Sequence, residues 1–290
     1  MINKNRKVID AHLHIGTWGT QILFNREVTP LGPSSEKNYI LGQEHHTYKD
    51  IINYFKKYGI EAGLVVCNYL AMNPKYSLID LNFIVLEAIE KKENIYGGLF
   101  VSPIPSDEEY TLEALKLASN PKFKVIKMTA THWKDFTPDP NSWSSTVRRI
   151  MEKILTVAKD NNLILQFHSG GLNSEPIYFD NFLKSYGKDF KVYLVHSGES
   201  CYPGMQFTTL FREWHDKGYN IYSDTSLVPG FVLQGIIRQI KPDEVKFLLF
   251  ATDSPWGSFL SEFYKVEDIT TTDEIKDKIL YYNAKELYKI

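Results

Sequence analysis

Short, continuously apolar runs recur along the whole chain, and they constrain its fold more than any other feature. They are Lys7-Val8-Ile9, Gly63-Leu64-Val65-Val66, Tyr96-Gly97-Gly98-Leu99-Phe100-Val101, Phe123-Lys124-Val125-Ile126-Lys127-Met128, Leu163-Ile164-Leu165-Gln166-Phe167, Val192-Tyr193-Leu194-Val195, Tyr219-Asn220-Ile221-Tyr222 and Val245-Lys246-Phe247-Leu248-Leu249-Phe250. A strand with one wet face alternates apolar and polar side chains, whereas a parallel strand covered on both faces stays apolar throughout. Between the runs lie stretches with helical spacing. Ile79, Phe83, Leu86 and Ile89 share one face, as do Val147, Ile150, Met151, Ile154, Leu155 and Ala158, and again Phe231, Leu233, Ile236, Ile237 and Ile240. Eight such runs alternating with helices over 290 residues predict an α/β fold, a parallel sheet closed into a (β/α)8 TIM barrel. An open, doubly wound sheet is the competing reading, but no Gly-x-Gly-x-x-Gly turn follows the first run.

No repeat, low-complexity tract or Pro/Ser-rich linker divides the chain, so residues 1–290 read as one domain. The irregular stretch is Gly16 to Thr47, long for a strand-to-helix connection and carrying Trp18, Phe24 and His45-His46. In a barrel this loop lies over the mouth, where substrate contacts belong. The basic start of the chain reaches Asp10 before any apolar stretch of signal-peptide length, and no run approaches a membrane span, so a cytoplasmic protein is expected. A net charge of -2 argues against nucleic-acid and membrane partners. Cys67 and Cys201, the two cysteines, exclude a disulfide scaffold and read as reduced thiols.

The chemistry lies in the polar residues that end the runs. The first closes in Asp10-Ala11-His12-Leu13-His14, the fourth contains Lys127, the fifth ends in His168, the sixth in His196 and the eighth in Asp253. All fall where a barrel strand meets its C-terminal rim, the face that holds active sites. His12 and His14 are two apart and point to one side of a strand. A lone buried histidine is usually satisfied by backbone, but four facing an aspartate make a donor set of the kind zinc prefers. Asp10 reads as a hydrogen-bonding anchor of the strand end. Asp253 has a turn-capping alternative before Ser254-Pro255, and Lys127 the alternative of facing the helices and snorkelling outward.

This set, on strands one, five, six and eight, resembles the amidohydrolase superfamily. More narrowly, it is similar to the amidohydrolase 2 branch that includes aminocarboxymuconate-semialdehyde decarboxylase. Further matching pieces are Ile60-Glu61-Ala62-Gly63-Leu64-Val65-Val66, Tyr96 to Pro103, Phe250-Ala251-Thr252-Asp253-Ser254-Pro255-Trp256-Gly257 and a terminal helix around Ile279 to Tyr288. The resemblance implies His12, His14, His168 and Asp253 as metal ligands, with one zinc ion favoured. Asp253 is then also catalytic, moving a proton from water to the leaving group, and His196 activates the metal-bound water or stabilises developing negative charge. In binuclear relatives a carboxylated strand-four lysine bridges two metals, so Lys127 and His196 mark a second-metal alternative. The implied reaction is hydrolysis of a small ester, lactone or amide. The alternative is zinc-dependent, non-oxidative decarboxylation of an aromatic or muconate-like acid. Glu199, in His196-Ser197-Gly198-Glu199, matches related decarboxylases, which often carry glutamate where this chain has His12. Trp18, Glu199 and Trp256 are substrate-contact candidates, and Arg212 is expected to pair with Glu213 or Asp216. His45, His46, His132 and His215 are assigned no chemistry. The partner expected is a small-molecule substrate; the sequence leaves the oligomeric state open, with a homodimer as the alternative to a monomer because lid loops in barrels often pack across a dimer.

Overall fold

The computed structural model describes residues 6–16, 21–23, 26–28, 45, 47–67, 78–133 and 135–290. Eight strands pair in chain order: β1 (Val8–Ile15), β2 (Ile60–Cys67), β3 (Ile95–Phe100), β4 (Phe123–Met128), β5 (Ile164–His168), β6 (Val192–Val195), β7 (Ile221–Asp224) and β8 (Leu248–Leu249). Every pairing is parallel. The ladder continues from the end of β8 back to β1, through Ala11 N–H to the Phe250 carbonyl (2.9 Å), Asp253 N–H to His12 (2.9 Å) and His14 N–H to Ser254 (2.8 Å). The sheet is therefore the expected (β/α)8 barrel.

The helices are α1 (Tyr48–Tyr58), α2 (Leu78–Lys91), α3 (Glu108–Leu115), α4 (Ser145–Asp160), α5 (Asp180–Tyr186), α6 (Cys201–Asp216), α7 (Gly230–Gln239), α8 (Phe259–Asp268), α9 (Asp273–Asp277) and α10 (Asn283–Tyr288). A short antiparallel ribbon, Gln21–Leu23 against Arg26–Val28, lies in the long connection after β1.

Local chemistry explains the boundaries. Thr47 and Asp50 form a reciprocal capping box at the start of α1, and Gly59, at φ 74°, ends that helix in the left-handed conformation. Ser144 caps α4 by accepting from Val147 N–H. The stripe expected on α4 is the face it buries. The stripe expected on α2 is shifted: Leu81, Val85, Ala88 and Ile89 are buried, whereas Phe83 is half exposed. Phe231 likewise faces outward, and α7 packs through Val232, Leu233 and Ile236. The last strand is shorter than its apolar run because Glu244–Phe247 forms a 3-10 turn. The Asn283 amide holds that turn, donating to the carbonyls of Val245 and Leu248.

Two apolar clusters result. The larger fills the layer between barrel and helices, and the smaller fills the barrel, with Ile9, Ala11, Leu64, Val66, Val125, Ile164, Tyr193, Val195, Leu249 and Ala251. The end of the chain plugs the barrel floor: Tyr281, Ala284, Leu287 and Tyr288 join the interior cluster, and Tyr288 OH donates to the Ala11 carbonyl (3.0 Å). Among the described residues, entry to the barrel interior is left to the opposite rim.

A break in β1 decides where its histidines point. Ile9 and Ala11 lie in the interior cluster, but Leu13 and Ile15 lie in the outer one. The register with β2 shifts between Asp10 and Leu13. A bulge that adds one residue reverses which face the following side chains occupy. His12 and His14 therefore face the interior, and Asp10 does not share their phase.

Candidate functional site

The bulge brings His12 and His14 to the rim, where β4, β5 and the segments after β6 and β8 deliver Lys127, His168, His196 and Asp253. Asp253 is the centre of the group. Its Oδ1 lies 3.0 Å from His14 Nε2, 3.5 Å from His12 Nδ1 and 3.9 Å from His196 Nε2. The His168 and His196 rings pack edge to face at 4.9 Å. His12, His196 and Asp253 offer donor atoms within 4.8 Å of one another, the one such grouping among the described residues. Lys127 Nζ is 3.4 Å from His12 Nε2, with 2% of the residue exposed, so it faces the site and not the helices.

The surroundings fix which nitrogen is free in three of the rings. His14 Nδ1 donates to the Cys67 carbonyl (3.1 Å), leaving Nε2 toward Asp253. His168 Nε2 donates to the Gly170 carbonyl (3.2 Å), leaving Nδ1. For His196 the argument runs through Asp224, on which four donors converge: Tyr193 OH, His196 N–H, Ser226 N–H and Ser226 OH. The Ser226 hydroxyl thus spends its proton on Asp224 (2.6 Å) and must accept from His196 Nδ1 (2.8 Å). His196 consequently turns an unprotonated Nε2 toward Asp253. Metal-binding histidines are oriented in this way, one nitrogen donating to protein and the other bare.

Burial pushes the His12 and His196 imidazoles well below their ordinary pKa, and the neighbouring Lys127 and histidines push further in the same direction. Both rings are neutral, the form that binds metal. Burial also lowers the Lys127 ammonium to about 8, against the opposing pull of Asp253 and Asp224. The donor set fits a divalent cation on its own terms. His12 Nδ1 is buried without a hydrogen-bond partner, and a bare imidazole nitrogen of His14 faces a carboxylate oxygen at hydrogen-bond distance. Two acceptors at that distance need a proton or a metal between them.

Asp10 has the anchoring role expected of it. Its carboxylate accepts from His12 N–H (3.3 Å), Thr252 N–H (3.0 Å) and Thr252 OH (2.6 Å), tying β1 to the segment that carries Asp253. Burial raises its pKa to about 7 despite these donors.

Non-glycine residues at positive φ gather here: His196 (71°), Ser197 (45°), Glu199 (63°), Leu227 (57°) and Asp253 (52°). Such conformations cost about 1–3 kcal/mol each and persist where the surroundings enforce them. Four of these five line a cavity of about 240 Å³, with His14, Cys67, Phe100, Lys127, Thr129, His168 and Trp256. Glu199 Oε2 is 3.5 Å from His168 Nε2. Glu199 and Trp256 thus reach the cavity, whereas Trp18 and His46 lie outside the described residues. Arg212 is distant from it, paired with Asp216 (2.7 Å) and Glu244 (2.9 Å).

Sequence reasoning missed Asp224, Ser226 and His45. Asp224 ends β7 as His168 ends β5, so the same criterion extended by two residues finds it. His45 is buried behind β1, donating from Nδ1 to the His14 carbonyl (3.0 Å). Nothing in the local sequence signals that contact.

Comparison with known proteins adds a family. The Amidohydro_2 family model, described as amidohydrolase, matches residues 80–290. No curated protein matches the chain. Among solved structures the chain resembles a probable 2-pyrone-4,6-dicarboxylic acid hydrolase from Acinetobacter baumannii, with 15% identity, a TM-score of 0.68, and 98% of this chain and 99% of that one covered. It also resembles 2,6-dihydroxybenzoate decarboxylase from Rhizobium (14%, TM-score 0.62, 98% of each chain). A third is 5-carboxyvanillate decarboxylase from Novosphingobium aromaticivorans with bound manganese (12%, TM-score 0.64, 99% and 98%).

Proposed function

The chain belongs to the amidohydrolase family, and from that premise we propose that it is a metal-dependent hydrolase of a small ester, lactone or amide. The observation that carries this reading is the convergence of three imidazoles on one oxygen of Asp253 at the barrel rim. His12, His14, His168 and Asp253 would hold one ion, zinc in our reading, and His196 stands beside them. When bound, the ion supplies a Lewis acid for the substrate carbonyl and acidifies a water toward neutral pH.

The protein's own groups do the rest. Asp253, an acceptor held in a strained backbone conformation, takes the proton of the attacking water and returns it to the leaving group. The tautomer of His196 presents a lone pair to the cavity, so this ring accepts a hydrogen bond from water and does not donate to developing negative charge. That donation falls to the Lys127 ammonium, the buried cation that lines the cavity. The cavity volume, below the roughly 300–1,000 Å³ of drug-sized sites, selects a small substrate. Trp256 and Phe100 offer apolar wall and Glu199 a polar contact.

Decarboxylation is the second reading, favoured by Glu199 beside His168. It needs a cationic site for the substrate carboxylate; Lys127 is the cation that lines the cavity, and no arginine does so among the described residues. Metal-loaded protein offered a panel of esters, lactones and amides, with carbon dioxide release from aromatic acids measured in parallel, separates the two. Hydrolysis that is lost in Asp253→Asn supports the first reading. Carbon dioxide release without any hydrolysis overturns it.

A further inference from the structure

The end of the barrel opposite the rim carries a second set of converging charges. Lys124, Lys191 and Lys289 line a cavity of about 270 Å³ at the N-terminal ends of β4, β5 and β6, with Asn120 and Asn162. Lys191, Lys246 and Lys289 line an adjoining one of about 200 Å³. The two share Lys191, Leu287 and Lys289.

Four observations set this patch apart from an ordinary solvated face. Glu286 is the single carboxylate among the residues lining either cavity. None of the four lysines forms an ion pair among the described residues, whereas Lys241 and Lys265 are paired with nearby acids. Lys289 is set in the left-handed conformation, φ 53°, at the end of α10, close enough to Lys124 to oppose its charge. Burial is the larger cause of the lowering of the Lys124 ammonium, and repulsion by Lys289 adds to it. Asn120 accepts from Lys122 N–H through its oxygen, which leaves its NH2 group for an acceptor.

We propose that this face binds a small polyanion carrying two phosphoryl groups, centred on Lys191 and Lys289, the two lysines that both cavities share. Compact ammonium charges suit tetrahedral phosphate, whereas planar carboxylates are read bidentately by arginine, and neither cavity contains one. The chemistry is shared by inorganic pyrophosphate and by the diphosphate of a nucleotide. The site is separate from the reaction at the rim and does not depend on how that reaction is assigned.

The test is calorimetric titration of the full, metal-loaded chain with pyrophosphate, ADP, orthophosphate and sulfate at matched ionic strength. The comparison protein is Lys191→Gln/Lys289→Gln, whose substitutions are remote from the rim. Metal chelation by pyrophosphate acts on both proteins alike, so only their difference counts. We expect pyrophosphate or ADP to bind the parent at least tenfold more tightly than the double variant, with affinity falling as salt is raised. Lys246→Gln should weaken pyrophosphate while leaving orthophosphate unchanged, because it removes a contact from one cavity only. ADP binding as pyrophosphate does makes the free diphosphate sufficient, and tighter ADP binding assigns a nucleotide; either outcome supports a diphosphate site. Equal affinities in parent and double variant, or sulfate and orthophosphate binding as tightly as pyrophosphate, overturn the proposal.

Discussion

Ser226→Ala is the sharpest test of how the site is set. The Ser226 hydroxyl joins Asp224 (2.6 Å) to His196 Nδ1 (2.8 Å), and all three groups are buried. Alanine leaves a buried ring N–H without an acceptor, and it removes one of four donors from a buried carboxylate. An unsatisfied buried donor costs about 1–3 kcal/mol, so the folded state should lose about 2 kcal/mol. The functional effect is more specific. With nothing to hold Nδ1–H, the His196 proton can move to Nε2, placing it where a lone pair faces Asp253. His196 stands beside the proposed ligands, so metal binding weakens through the added Nε2 proton facing the cation, by less than the about 10–100-fold that follows loss of a ligand's own orienting partner. Chelator competition measures that change, and nitrogen chemical shifts report the tautomer directly. Ser226→Thr keeps the hydroxyl and should keep both properties. If Ser226→Ala binds metal as tightly as the parent and His196 retains its Nδ1 proton, the proton assignment through Asp224 is wrong.

Further outcomes follow from the same geometry. Asp253→Asn should fold, because its backbone N–H bond to His12 survives, and hydrolysis should fall by about 10²–10⁴-fold, measured as kcat at saturating substrate. Asp10→Ala strands Thr252 N–H, Thr252 OH and His12 N–H, so the denaturation midpoint should drop by the equivalent of about 3 kcal/mol and metal should be lost with it. His215 packs between Phe211 and Phe247, with ring centroids at 4.5 and 4.3 Å, and burial lowers its pKa from 6.5 to about 4. Its neutral form is favoured by folding, so its stabilisation is complete above pH 6.5 and is lost as pH falls toward 4, by at most about 3 kcal/mol. His215→Phe should flatten that part of a stability–pH curve. Dialysis against a chelator should abolish turnover, and adding back zinc or manganese should restore it.

The barrel was legible because strands covered on both faces leave continuous apolar runs, a signal that survives without knowing any partner. The rim residues were legible for a related reason: a polar side chain ending such a run is conspicuous. What stayed hidden was orientation. A bulge adds one residue to a strand without a sequence mark: spacing alone puts Asp10, two residues before His12, on the same face as His12 and His14, and only the ladder register shows otherwise. The outward turn of Phe83 has the same origin. Helical spacing identifies a stripe, but Leu81 and Val85 fit another stripe equally well, and packing against β2 and β3 chooses between them. His45 was illegible because its partner is a backbone carbonyl 31 positions away.

The hydrogen bond from Tyr288 OH to the Ala11 carbonyl spans 277 positions in sequence. It lands beside the bulge that aims His12 and His14, and the segment bearing Asp253 pairs with the same stretch of β1. Contacts between such distant parts of a chain are slow to form, because the entropy of closing the loop must be overcome first. Most of the barrel can pair neighbour to neighbour, strand after strand, while its seam is still open. Contact order therefore predicts that the rim cluster around Asp253 is completed last in folding, when β1 meets the final strand and the terminal helix closes the floor. A chain whose seam is still open would carry His168, His196 and Lys127 on paired strands while His12, His14 and Asp253 remain apart from them.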